Sequence, residues 1–359
     1  MKAVLVGAGF AGRAHAAALR ACGVEIAAVV TAREESARAF AKEWNIPAWG
    51  TDTSVALAPE IDAVHVCTPP TAHGAFIREL LAHGKHVVCE KPLSLDAEEA
   101  RELAQLAEES GCLCALSFNV RHHMACQRAR ELMASGTFGR PLLIHGTYLQ
   151  EFHALPSPKD WRYNEAVAGR MRAVTEIGSH WVDLAQYISG LRVEAVSASF
   201  GRFWPERSLK DGIMHPAGEP GEAMHVVSED AAAVTLRFEN GVLGNVMLSE
   251  VSPGRGNHLS LEITCENGAL WWNEEDNNRL YTARKGEGVH TEVFAFGNGF
   301  DDTFALLFKN FYAAVAAGGT DCPSWPTFRE GASVTAVCRA MGESDANGSA
   351  WTRVEGADA

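Results

Sequence analysis

Apolar residues follow two rhythms along this chain. Up to residue 118, short unbroken apolar runs alternate with longer stretches of helical periodicity. Residues 3–6, 25–30, 63–67, 86–90 and 113–118 are rich in Ala, Val, Ile, Leu and Cys, as strands buried on both faces are. Between them, an alanine-rich stretch ending at Ala21 and residues 36–44, 72–83 and 95–110 read as helices. Gly84 and Gly111 stand where helix C-caps belong, and Asp96 stands near a helix start. Strand and helix alternating in this way predict a parallel, doubly wound sheet that closes near Phe118.

Beyond that point period-two patterning dominates, over residues 142–150, 193–203, 233–238, 242–251 and 259–265. Val234, Leu236 and Phe238 share one face; Thr235 and Arg237 share the other. Glu239-Asn240-Gly241 and Glu266-Asn267-Gly268 are hairpin signals. The expectation is a largely antiparallel sheet with one face able to carry a partner subunit. Helices are expected over residues 124–134, 177–189 and 302–317, and residues 205–229, rich in Gly, Pro, Met and His, read as a long loop.

Composition narrows the function classes. A chain of 359 residues exceeds what one core usually supports, so two domains are expected, 1–118 and 119–359. A net charge of −14 argues against nucleic acid as a partner. No apolar run approaches the roughly 18 residues of a membrane span, and Met1-Lys2-Ala3 enters a strand directly, leaving no room for a signal peptide. Nine cysteines without paired spacing read as reduced thiols, and the expected location is the cytoplasm. The closest pair, Cys112 and Cys114, reads as core filling, and no metal-ligand spacing is found.

Candidate chemistry sits at the strand ends. Gly7-Ala8-Gly9-Phe10-Ala11-Gly12 follows a strand and opens a helix, the context that makes G-x-G-x-x-G a dinucleotide signal. Gly7 allows the turn, Gly9 lets backbone approach a pyrophosphate, and Gly12 lets helix and strand close up. Phe10 and Ala11, in the same loop, are assigned to the cofactor with the glycines. The second strand ends in Thr31-Ala32-Arg33, where an acid usually holds a ribose 2′-hydroxyl. A hydroxyl and a guanidinium suit a 2′-phosphate better, so the reading is NAD or NADP, leaning to NADP. Lys91, in Glu90-Lys91-Pro92, stands at the carboxyl end of a strand, where an ammonium can stabilise an alkoxide. Glu176, His180 and Asp183 fall at i, i+4 and i+7, on one helix face. The imidazole there is either a positioned general base or a buried histidine satisfied by Asp183.

Together these motifs resemble the Gfo/Idh/MocA oxidoreductase family. The resemblance rests on Gly7-x-Gly9-x-x-Gly12, Thr68-Pro69 with His73 following, Glu90-Lys91-Pro92 and Glu176-x-x-x-His180. Gly146-Thr147-Tyr148-Leu149-Gln150, Trp161-Arg162 and Ile177-Gly178-Ser179-His180 look like its levoglucosan dehydrogenase-like branch. The resemblance implies an α/β fold: an N-terminal Rossmann doubly wound parallel sheet, then a C-terminal α+β domain with a large, mainly antiparallel open-faced sheet for substrate binding and oligomerisation. It implies hydride transfer between nicotinamide and a secondary alcohol or ketone of a sugar, anhydrosugar, glycoside or cyclitol, in a homodimer or homotetramer. Lys91 matches the lysine on the reacting oxygen and His180 the acid–base histidine. Glu176 matches a usual Asp and either orients substrate or braces His180. Thr68, Pro69, His73, Glu90 and Asn119 match cofactor-side positions, with Pro70 where the family usually has Asn. Arg121, Gln150 and Arg162 match substrate-side positions. The alternatives are a glycosidase that cycles a tightly held NAD and a non-catalytic sugar or NAD sensor.

Overall fold

The computed structural model describes residues 1–297 and 299–356. The chain forms two compact units, Met1–His122 with Gly299–Ala332, and His123–Asn298 with Ser333–Ala359. The sequence suggested a single cut after residue 118. The first unit instead reclaims residues 299–332, because the helix Phe300–Ala317 buries Phe304, Leu307, Phe308 and Phe311 in one core with Leu5, Leu19 and Val29. Periodicity reveals that a face is buried; it does not reveal against what.

The first unit is built on β1 (Lys2–Val6), α1 (Phe10–Ala21), β2 (Glu25–Val30), α2 (Glu34–Glu43), β3 (Ala48–Gly50), β4 (Ala63–Val66), α3 (His73–Ala82), β5 (His86–Cys89), α4 (Ala97–Ser110) and β6 (Cys114–Leu116). The sheet order is β3-β2-β1-β4-β5-β6, with every pairing parallel, as the buried apolar runs predict. Asp96 caps α4 by accepting from the Glu99 amide, and Gly111 ends it in the left-handed region. Strand β3 was unforeseen; three residues are too few to show a period.

The second unit contains α5 (Met124–Ala134), β7 (Pro141–Leu149), β8 (Ser157–Pro158), α6 (Glu165–Ala168), α7 (Ser179–Ser189), β9 (Val193–Gly201), β10 (Glu206–Lys210), β11 (Ile213–Pro216), β12 (Glu222–His225), β13 (Ala231–Phe238), β14 (Leu243–Ser249), β15 (His258–Cys265), β16 (Gly268–Asn273), β17 (Arg279–Arg284), β18 (Gly288–Val293) and β19 (Thr352–Arg353). Nine strands form one sheet, ordered β18-β17-β16-β15-β7-β14-β13-β9-β19 and antiparallel except for β7 beside β14. Val234, Leu236 and Phe238 are buried while Thr235 and Arg237 are exposed, as the alternation requires. Leu143, Leu243 and Met247 are also exposed.

Residues 205–229 are not the long loop expected. They supply β10, β11 and β12, which join β8 in a four-stranded sheet. The overlooked signal is Asp211-Gly212, between Lys210 and its partner Ile213. Both turn residues have positive φ, 51° and 80°, the geometry of a two-residue hairpin turn. The helix Phe328–Ala346 also went unread, its apolar stripe diluted by Ser, Thr and Gly. Among the described residues, no helix is long and apolar enough to cross a membrane.

Helix α7 is anchored through Gly146 of β7. A Cβ there would lie 1.9 Å from the Ser260 carbonyl oxygen and 2.9 Å from Trp181 Nε1. That absence of side chain lets Trp181 Nε1 donate to the Ser260 carbonyl at 2.9 Å. Gly146→Ala is therefore expected to overpack this contact and cost about 1–3 kcal/mol. A thermal midpoint equal to wild type would contradict the packing described.

Candidate functional site

The parallel register places five chain segments at one edge of the first unit's sheet. Val6 pairs with Val30 and Val66, Val66 with Cys89, and Cys89 with Leu116. The residues that follow, Gly7, Thr31, Cys67-Thr68, Glu90-Lys91 and Ser117, therefore leave the sheet together. This is the carboxyl edge, where open α/β sheets bind ligands.

The glycine loop fits a dinucleotide. Gly7 has φ +113°, and a Cβ on it would meet the Cys67 carbonyl oxygen at 2.4 Å. A Cβ on Gly12 would meet the Gly7 carbonyl oxygen at 2.4 Å, so helix and turn close only over glycine. Nothing lies within 4 Å of a Cβ built on Gly9, the N-cap of α1, and no side chain caps that helix. The first-turn amides, including those of Phe10 and Ala11, thus border open space, as a pyrophosphate needs. Phe10 is 75% exposed, its ring 6.1 Å from that of Phe300. Thr68 Oγ1 is buried without a hydrogen-bond partner among the described residues, a polar atom that a ligand could satisfy. Pro69 beside it is exposed, and Pro70 opens a short helical turn.

Thr31 and Arg33 form a tight local turn. The Thr31 hydroxyl donates to the Arg33 carbonyl at 2.7 Å and accepts from the Arg33 amide at 3.3 Å. Arg33 is exposed at the start of α2. His73 is fully buried, with Nδ1 2.9 Å from the Pro92 carbonyl and Nε2 2.9 Å from the Thr68 carbonyl. Burial lowers its pKa. Each ring nitrogen faces a carbonyl oxygen, so His73 sits between two strand ends rather than presenting a nitrogen to a ligand. Glu90 holds the Lys91 amide through Oε2 at 3.2 Å and faces His15 Nε2 through Oε1 at 2.9 Å. Lys91 itself is half-buried.

Asn119 and Arg121 lie buried in the helical turn Asn119–His122. Asn119 Nδ2 donates to Thr303 Oγ1 at 2.8 Å, and Arg121 forms an ion pair with Glu330. Burial would raise the Glu330 pKa, but Arg121 and the Thr327 amide outweigh it and hold it low.

In the second unit, the expected regular helix face is modified. Residues Val174–Gly178 wind as a π-helix before α7 begins at Ser179, so Glu176 and His180 are not one ideal α-turn apart. Glu176 Oε2 accepts from Arg162 Nε at 2.9 Å, and Arg162 also reaches Asp160 Oδ2 at 3.0 Å. Burial pulls the Arg162 pKa down, but Glu176 and Asp160 together raise it above its ordinary value. The structure thus joins two predicted site residues, Arg162 and Glu176. His180 is half-buried, its ring centroid 6.5 Å from that of Tyr148. Tyr148 donates to Asn257 Oδ1 at 2.8 Å, and Gln150 Nε2 donates to the same oxygen at 2.6 Å. Asn257 went unnoticed in the sequence because its neighbours look like ordinary loop residues. Only strand register, with Leu149 opposite His258, brings it to Gln150.

Behind these groups lies a buried charge cluster that local patterns did not reveal. Asp230 Oδ1 accepts from Arg172 at 2.7 Å and from Arg207 at 2.8 Å, and Glu250 lies 3.2 Å from Arg172 Nε. Glu229 accepts the Arg172 amide at 3.0 Å and the Val174 amide at 2.8 Å, and so holds the start of the π-helix. Three carboxylates share two guanidiniums in a dry interior, so a proton is retained. Burial, aided by Glu176 and Glu229, raises the Glu250 pKa to about 8, and burial raises that of Glu229 to about 7. Burial and the nearby arginines push His153 down to about 3, consistent with its Nδ1 accepting from Tyr163 at 2.8 Å.

Comparison with known proteins agrees with this anatomy. Residues 1–118 match a family model described as an oxidoreductase family with an NAD-binding Rossmann fold, and residues 126–271 match the GFO/IDH/MocA C-terminal domain. Levoglucosan dehydrogenase from Pseudarthrobacter phenanthrenivorans is 30% identical, over 98% of this chain and 97% of its own. Myo-inositol 2-dehydrogenase from Thermotoga maritima is 26% identical over 89% of each chain. A solved structure of levoglucosan dehydrogenase in complex with NADH and levoglucosan superposes with a TM-score of 0.89 at 27% identity, covering 99% of both chains.

The buried acids give stability a sign with pH. Their folded pKa values lie above the ordinary 4.5, so the folded state holds protons the unfolded chain releases. Their contribution is complete below that value and is lost as pH rises through about 7 and about 8. Urea midpoints of wild type should fall as pH rises from 4.5 to about 8 and level off above it, and Glu250→Gln should flatten the fall. Parallel curves for the two proteins would contradict the burial assigned to Glu250.

Proposed function

The chain belongs to the Gfo/Idh/MocA family of NAD-binding oxidoreductases, and we propose that it moves hydride between a nicotinamide and a secondary alcohol or ketone of a sugar, anhydrosugar or cyclitol. The observation that carries this reading is the emergence of Lys91 at the same sheet edge as the open glycine cradle. Bound there, the nicotinamide accepts or supplies the hydride. Gly7, Gly9, Phe10, Ala11 and Gly12 would hold the dinucleotide's pyrophosphate, with Thr68, Pro69 and Asn119 as further cofactor-side residues.

Lys91 donates to the reacting oxygen and stabilises it as an alkoxide. His180 takes the hydroxyl proton in oxidation and returns it in reduction. Glu176, fixed by Arg162, keeps a carboxylate on the π-helical stretch that leads into the helix of His180. Gln150 and Arg162 contact the other hydroxyls. Arg121 is braced by Glu330 at the same sheet edge as Asn119, and His73 and Glu90 act as positioning residues for the Lys91 turn. A glycoside-cleaving redox cycle and a ligand sensor find no support among the relatives.

Three finer readings accompany this one. Arg33 and Thr31 favour NADP. The exposed Leu143, Leu243 and Met247 on the large sheet support pairing of subunits through that face. The thiols, none in a disulfide among the described residues, suit a reducing compartment such as the cytoplasm.

Lys91→Ala is expected to abolish most turnover while leaving cofactor affinity near wild type. His180→Ala should lower the rate on the order of 10²–10⁴. Steady-state kinetics with full activity in either variant would end the assignment. A 2′-phosphate beside Arg33 gains a charge-assisted bond of about 1.5–3 kcal/mol, roughly ten- to a hundredfold in affinity. Fluorescence titration should therefore show tighter NADP than NAD binding, with Thr31→Asp combined with Arg33→Ala reversing the order. Equal or tighter NAD binding by wild type would refute the reading of that turn.

A further inference from the structure

A chain of buried polar side chains crosses the core of the first unit, and hydride transfer as proposed above does not by itself require it. Tyr312, on the helix Phe300–Ala317, lies 2.9 Å from His65 Nε2 on β4. His65 Nδ1 lies 2.9 Å from Nδ1 of His15 on α1. His15 Nε2 lies 2.9 Å from Glu90 Oε1, and Glu90 Oε2 accepts the Lys91 amide. Both histidines are 0% exposed and Tyr312 is 4% exposed. Phe304 and Phe308 pack rings against His15, and Phe308 also packs against His65. Ser117 Oγ also lies 3.3 Å from His15 Nε2.

The geometry permits one neutral arrangement of hydrogens. Glu90 as a carboxylate only accepts, so His15 must present N–H at Nε2. A neutral imidazole carries one hydrogen, which leaves His15 Nδ1 bare. His65 must then donate from Nδ1, and its bare Nε2 accepts from the Tyr312 hydroxyl. Every hydrogen points toward Glu90. Reversing the order requires a protonated Glu90 or a charged histidine in a dry, aromatic-walled interior, where a polar group gains most from being fully satisfied. Burial, with His15 beside it, holds the His65 pKa well below its ordinary value, in keeping with a neutral ring.

We propose that His65 and Tyr312 are positioning residues: they set the His15 tautomer that holds the Glu90 carboxylate, and with it the Lys91 turn, in place for hydride transfer. This rests on the hydride-transfer reading above for its functional half. The ordered chain itself does not.

The test has two arms on the full-length protein. In the first, two-bond nitrogen–hydrogen correlation spectra of ¹⁵N-histidine-labelled wild type, without cofactor, read each tautomer directly. His15→Gln and His65→Gln spectra assign the signals. The expected result is His15 protonated at Nε2 and His65 at Nδ1. The opposite tautomers, or a charged ring at neutral pH, would overturn the ordering. In the second arm, His65→Leu is expected to lower kcat about ten- to a hundredfold, as a small displacement of a reacting group does, with KM for cofactor nearly unchanged. His65→Gln, whose amide can donate to His15 and accept from Tyr312, should recover most of the loss. Tyr312→Phe should fall between the two. Wild-type kcat in His65→Leu, or equal losses in His65→Leu and His65→Gln with both folded by circular dichroism, would overturn the positioning role. Expected tautomers in a wild type that turns over no polyol with either nicotinamide would instead locate the failure in the hydride reading.

Discussion

Parallel pairing of β1, β4 and β5 is the constraint on which the rest of the first unit depends. Because Val6, Val66 and Cys89 stand in register, the chain must emerge at one edge as Gly7, Cys67 and Glu90. The emergence is crowded: only a glycine at position 7 leaves room for the Cys67 carbonyl. From that crowding follow the helix start that offers its amides, the histidine that sits between Thr68 and Pro92, and the carboxylate that grips the Lys91 amide. A lysine side chain is floppy on its own. Here its backbone amide is held by the Glu90 carboxylate.

The second unit solves a different problem, holding a helix with ionisable groups against a sheet. Its answer is a charge cluster kept out of water, in which Asp230 serves two arginines and Glu229 caps the backbone where the π-helix begins. Removing Asp230 would leave two guanidiniums without their shared buried counter-charge, which typically costs about 3–5 kcal/mol. The wider π-turn then sets where Glu176 points, toward Arg162. Stability and site geometry are thus carried by the same residues, and the protons retained by Glu229 and Glu250 couple both to pH.

How much of this could be read from sequence depended on range. Strands and helices of the first unit were legible because both their periods and their caps are local. The glycine loop was legible because strand, glycines and helix lie within a few residues. What escaped was whatever depends on pairing across long separations. The return of residues 299–332 to the first unit, the Gln150–Asn257 contact and the Arg172–Asp230 pair all join distant segments. His65 was a local clue left unused: a polar residue inside an apolar strand run needs a partner, and Tyr312 supplies it 247 positions away. The small sheet from residue 206 onward was missed for want of reading Asp211-Gly212 as a hairpin turn.

The central claim is that hydride leaves a carbon of a polyol and arrives on the nicotinamide. The most direct measurement uses wild type, oxidised NAD or NADP, and a panel of cyclitols and anhydrosugars deuterated at their secondary carbinol positions, with mass spectrometry of the recovered cofactor. The account predicts reduced cofactor carrying one deuterium from at least one member of the panel, with the matching ketone as product. Consumption of a sugar with no deuterium in the cofactor, or no reaction across the panel with either cofactor, would contradict it.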